Sequence, residues 1–196
     1  MSTWIVWVAL AAVFVGFWIW YGGSGAPLAP GEADALLARM RAGGERRGHV
    51  DEELIEAFRT LAEDDDGREF YMVNLMRHRE KAQYPPGSPY DDDVQAAADR
   101  YNRAVVPALL KRGSHPVLLA NVLGTFLEPE GSDRWDQVGI VRYRSRRDML
   151  DMAIELGEGG GGAHKWASIE KTHVFPTRPV VDLVFVRATV AALLAL

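Results

Sequence analysis

The sequence predicts an α+β protein: a ferredoxin-like βαββαβ antiparallel sheet with its helices on one face, preceded by one N-terminal transmembrane helix. Three observations predict it. Residues 3–21, TWIVWVALAAVFVGFWIWY, carry no charge and no proline. From Phe70 onward, runs rich in strand formers and amphipathic helical segments follow one another as strand, helix, strand, strand, helix, strand. The strand runs are apolar on both sides, so the face away from the helices needs a cover of its own. A homodimer pairing two sheets face to face supplies one.

Residues 3–21 make a helix of about 28 Å at ~1.5 Å per residue, close to the ~30 Å hydrocarbon core of a bilayer. Trp4 and Trp7 stand at one end, and Trp18, Trp20 and Tyr21 at the other, where amphipathic rings suit the headgroup boundaries. No Lys or Arg precedes the run, so a retained single-pass anchor in contact with membrane lipid is expected over a cleaved signal peptide. Arg39 and Arg41 follow it, with Arg46 and Arg47 beyond. Under the positive-inside rule they place the soluble domain in the cytoplasm. The chain has no cysteine, which suits either compartment.

Residues 22–31 (GGSGAPLAPG) read as a linker and residues 32–67 as a helical extension. Its first helix, 32–41, ends at Gly43 and Gly44. Its second is capped by Asp51 and lays Leu54, Ile55, Phe58, Leu61 and Ala62 along one face. The sheet domain is expected over 68–178. Its strands are 70–76, 117–127 with a bulge at Gly124, 135–143 and 172–175, with a turn at 128–133 joining the middle pair. A three-proline loop fills 82–92. Helices are expected over 93–112, kinked at Pro107, over 145–156, capped by Ser145, and over 164–170. The glycine tract 157–162 reads as a flexible loop or flap. Residues 179–196 form an apolar extension, too short for a second span and expected to pack within the homodimer.

The segments FYMVNLMR (70–77), AQYP (82–85), WDQVGIVRYRSR (135–146) and HKWASIEKT (164–172) resemble an uncharacterised dimeric α/β-barrel family, domain of unknown function 1330, over residues 70–176. The resemblance implies a ferredoxin-like fold closing into a barrel across a homodimer. It implies no reaction, although the wider superfamily includes cofactor-free monooxygenases and isomerases.

Candidate site residues are few. Asn74 is polar within an apolar strand, and a buried amide needs partners. With Tyr84, Tyr101, Asn121 and Tyr143 it could line a small-molecule cleft, with His164 and Lys165 behind the glycine tract. Arg144, Ser145 and Arg146, at a strand end and helix start, form a weaker anion-binding candidate. The five histidines, His49, His78, His115, His164 and His173, form no close-spaced ligand motif, so neither metal nor cofactor is expected. The net charge of −5 disfavours nucleic acid as a partner. These features suggest a membrane-anchored, dimeric small-ligand-binding or accessory protein with a possible membrane-protein partner. The alternative is a cofactor-independent monooxygenase or isomerase acting on a small apolar or aromatic substrate.

Overall fold

The computed structural model describes residues 3–127, 129–181 and 184–195; Glu128 of the expected turn and Asp182, Leu183 and Leu196 of the apolar extension lie outside the described residues. In chain order the elements are α1 (Thr3–Gly22), α2 (Glu32–Arg46), α3 (Glu52–Glu63), β1 (Phe70–His78), α4 (Val94–Leu110), β2 (His115–Asn121), β3 (Gln137–Tyr143), α5 (Arg146–Glu158), α6 (Gly161–Ser168), β4 (Ile169–Thr177) and α7 (Val186–Ala195). The strands form one four-stranded sheet in the order β2-β3-β1-β4, each neighbouring pair antiparallel. The expected α+β architecture is present.

Two apolar cores stack outward from the sheet. Phe70 and Met72 on β1 and Tyr143 on β3 meet Val105, Leu109 and Met152 from α4 and α5. On the far side of α5, Leu150 and Ile154 meet Leu36 and Leu37 of α2 and Ile55 and Phe58 of α3. The helical extension is therefore an outer layer on α5. Each fully buried side chain of this size contributes about 1.5–3 kcal/mol, and Asp51 caps α3 by accepting from the Leu54 amide at 2.9 Å.

Several boundaries move for physical reasons. Helix α2 runs through Gly43 and Gly44 to Arg46: the chain returns so closely over Gly44 that a Cβ there would lie 2.8 Å from the His49 carbonyl oxygen. The linker is docked, with the Leu28 amide donating to Asp65 Oδ2 at 2.6 Å. Strand β2 stops at Asn121, so Gly124 is not a bulge inside a strand, and the register shift lies between Pro116 and Leu118. Beyond Asn121, the Val122 amide reaches Asp136, while Leu123, Phe126 and Leu127 point into solvent. The glycine tract is a helix-to-helix turn, not a flap. Gly157 closes into α5, Gly160 takes φ +72° as the N-cap of α6, and Gly161 lets α6 approach Ala104 of α4.

Strand alternation gives the second sheet face. Phe175, Val73, Ile140 and Leu118 stand in one row across it, and His173, Leu75, Val138 and Ala120 in the next. These side chains are half-buried or exposed. At the end of this face Tyr71 and Arg142 are buried, Arg142 beneath the last turn of α1. The apolar extension does not join the core: α7 packs against α1.

Candidate functional site

The expected single cleft is split between several places. Asn74 sits on the helix side of β1, where its amide donates to the carbonyl oxygens of Met72 at 3.2 Å and Gly139 at 3.5 Å. The sheet backbone takes up its donors. Asn121, at the exposed end of β2, accepts from Gln137 at 3.0 Å. Tyr101 and Tyr143 come together in the core beneath α4. Burial pushes the Tyr101 hydroxyl up to about 12. Tyr143 moves further the same way, through burial first and the neighbouring Tyr101 second. Both remain neutral phenols across the physiological range.

Tyr84 and His164 do meet, at the outer edge of α4 and α6. The Tyr84 hydroxyl lies 2.8 Å from His164 Nδ1. With the ring proton on Nε2, Nδ1 accepts from the phenol; the other tautomer reverses the roles. Tyr90 packs edge-on to the imidazole at 4.8 Å between ring centroids, and the Arg100 guanidinium lies 4.8 Å from the Tyr90 ring centroid. Burial and the positive charge of Arg100 hold the His164 pKa below its ordinary value, which favours neutral imidazole. Lys165, next in α6, lies with its ammonium 5.2 Å from the Trp166 ring centroid. Its side chain is half-buried, and burial lowers its pKa. Tyr90 and Arg100 were not visible as site residues in the sequence. Their spacing from Tyr84 carries no motif, and only the path of the proline loop joins them.

The arginine cluster is committed to acids and carbonyls. Arg144 forms a bidentate pair with Asp148, at 2.7 and 2.6 Å, and donates to the Trp20 carbonyl oxygen at 2.8 Å. The Ser145 hydroxyl caps α5 by accepting from the Asp148 amide. Arg146 pairs with Asp65 and Asp66, and Arg147 with Glu32. These donors hold α1, the linker and α2 against the domain rather than standing open to an anion.

At the centre of that junction is Arg142, only 1% exposed. It donates to the carbonyl oxygens of Gly113 at 2.6 Å and Tyr21 at 3.0 Å, pairs with Glu69, and stacks 3.7 Å from the Tyr21 ring centroid. The Tyr21 hydroxyl lies 2.9 Å from His115 Nε2. Gly113, at φ +64°, is required by the close approach: a Cβ there would lie 2.5 Å from the Trp20 carbonyl oxygen. Glu69 also takes Arg187 at 3.1 Å. Burial raises its pKa, but the hydrogen bonds and charges of Arg142 and Arg187 outweigh burial and hold it below the ordinary value. A sequence signal existed: Arg142 alternates with apolar positions inside a strand, and Glu69 immediately precedes the neighbouring one.

No protein-family model and no curated relative matches the chain. Solved structures do. The crystal structure of a protein of unknown function from Rhodopseudomonas palustris is similar at a TM-score of 0.57 and 22% identity, covering 68% of this chain and 96% of that one. The methylated form of that protein matches at a TM-score of 0.57 and 23% identity, covering 68% and 95%. The likeness supports the mixed α+β fold and carries no activity.

Proposed function

We propose that this protein is a membrane-anchored accessory module: α1 crosses the bilayer and holds a ferredoxin-like domain of the dimeric α/β-barrel kind at its surface, where the domain pairs with a second copy. The observation that carries this reading is the junction. A 20-residue helix without charge, its sides exposed along most of their length, ends with its last carbonyls held by Arg142 and Arg144. The helix is thus a fixed part of the domain, and its bare apolar surface calls for lipid. The sheet order β2-β3-β1-β4 supports the ferredoxin-like topology, and the half-exposed rows around Val73 and Leu75 support sheet-to-sheet pairing. Arg39 and Arg41 support a cytoplasmic domain.

The test uses the absence of native cysteine. Leu75→Cys, oxidised in native membranes, gives a crosslinked dimer in the membrane pellet after an alkaline wash, whereas Glu52→Cys on the outer helical layer gives none. A Leu75→Cys chain that pellets but stays monomeric removes the dimer. A chain that washes off removes the anchor.

The Tyr84–His164 pair favours a second reading, a small-ligand site with acid–base capacity, as in a cofactor-independent oxygenase or isomerase. Under it, Tyr84→Phe and His164→Gln each abolish turnover or ligand affinity while Asn121→Ala does not. Equal effects of all three would sink it.

A further inference from the structure

We propose that α7 lies in the bilayer beside α1, as a half-length helix in the leaflet on the domain's side, so that two antiparallel helices contact the acyl chains instead of one. This rests on the reading of α1 as the membrane anchor and deepens it.

Two stripes carry the argument. Along α1 the half-buried or buried positions are Leu10, Phe14, Phe17 and Tyr21, spaced four, three and four residues apart, while nearly every other position from Trp4 to Trp20 is exposed. Along α7 they include Arg187, Val190, Ala191 and Leu194. Each set is one side of a helix, and α1 and α7 pack together. The start of α7 is fixed: the Arg187 guanidinium lies 5.2 Å from the Trp18 ring centroid and 4.9 Å from that of Tyr21, and it bonds Glu69. Starting beside the end of α1, α7 matches its stripe only by running back along it.

Chemistry and length then select lipid as the cover of the outer side. From Ala188 to Ala195 there is no charged or strongly polar side chain beyond one threonine. Ala188, Thr189, Ala192 and Leu193 face outward, with Leu193 65% exposed. This side is continuous with the bare surface of α1, where Val13 is 58% and Val15 56% exposed. Trp18, Trp20 and Arg187 lie at one level, the composition of an interfacial belt. Below it α7 extends about 12 Å at ~1.5 Å per residue, within the ~15 Å of one leaflet. Its far end is the costly part, because the last carbonyls of a helix have no partner within it. Depth is therefore the quantity to measure.

Full-length single-cysteine variants Leu193→Cys and Ala192→Cys on α7, Val13→Cys on α1 and Glu52→Cys on α3 are labelled with an environment-sensitive fluorophore. They are reconstituted into phosphatidylcholine–phosphatidylglycerol vesicles carrying doxyl-labelled lipids. Quenching at both α7 positions within a factor of about two of that at Val13, with none at Glu52, is the expected result. Quenching at Val13 without quenching at either α7 position overturns the proposal and leaves the anchor standing. No quenching at Val13 overturns both.

Discussion

Replacing Arg142 with methionine tests the junction most directly. Methionine keeps much of the stem's volume and removes every donor, so the Tyr21 and Gly113 carbonyls lose the bonds at 3.0 and 2.6 Å. A buried acceptor left without a partner costs about 1–3 kcal/mol. Glu69 loses one of two cations but keeps Arg187, and its side chain is 30% exposed. That places its loss at the low end of the ~3–5 kcal/mol for a broken buried pair. The stacking on Tyr21 adds up to ~2 kcal/mol when desolvated. These contributions overlap, and the expected net loss is about 4 kcal/mol. Chemical denaturation of the full-length protein in mild detergent, followed by circular dichroism, reads it. A cycle with Tyr21→Leu isolates the part that crosses the junction, with an expected coupling of ~1–2 kcal/mol. A loss within about 0.5 kcal/mol, the range of an ordinary surface substitution, refutes the reasoning. So does strict additivity with Tyr21→Leu.

Two further predictions concern protons. The His164 ring titrates below its ordinary 6.5 in an NMR pH series, and Arg100→Met moves the midpoint up because one of the two causes of the depression is gone; an unmoved midpoint removes Arg100 from the cluster. Glu69, held below 4.5 when folded, is protonated first in the unfolded chain as pH falls. Its stabilisation is therefore complete above about pH 4.5 and is lost as pH falls through the lower folded value. Glu69→Gln should accordingly be less stable than the parent near neutrality and converge on it in acid, and a constant gap between the two denaturation midpoints contradicts the assignment.

The sheet was legible because its signals are local. Runs such as 70–76 and 137–143 carry strand formers, and Asp51 and Ser145 cap their helices as their side-chain chemistry requires. The failures share one cause, tertiary contact overriding local preference. Gly43 and Gly44 look like a helix stop, but close packing of residues 49–50 makes them helix interior. Residues 122–127 have strand composition and no strand, since β3 begins at Gln137 and the pairing with it runs out at Asn121, with one further bond from the Val122 amide to Asp136. Among the site residues, Tyr84 and His164 were read as members of one cleft with Asn74, but nothing in a sequence fixes that a proline loop folds over α6 while Asn74 turns its amide to the sheet. The arginine cluster was visible and its role was not, because besides its carboxylate partners it holds backbone carbonyls at residues 20, 21 and 113, which no side-chain pattern encodes.

That cluster also explains why a Gly/Pro-rich connection does not leave α1 loose. A helix ends with carbonyls that nothing within it can satisfy. A guanidinium inside a domain carries five donors that each need an acceptor, and a missing one is expensive. Arg142 and Arg144 set these two deficits against each other: the Trp20 and Tyr21 carbonyls gain donors, and a side chain 1% exposed gains acceptors. The short connection then only has to close the chain, and Gly23 lets it do so at φ +68°, where a Cβ would lie 3.1 Å from the Arg144 stem. The direction of α1 relative to the sheet is thereby set by a handful of hydrogen bonds, and whatever surrounds α1 dictates which way the open rows of the sheet face.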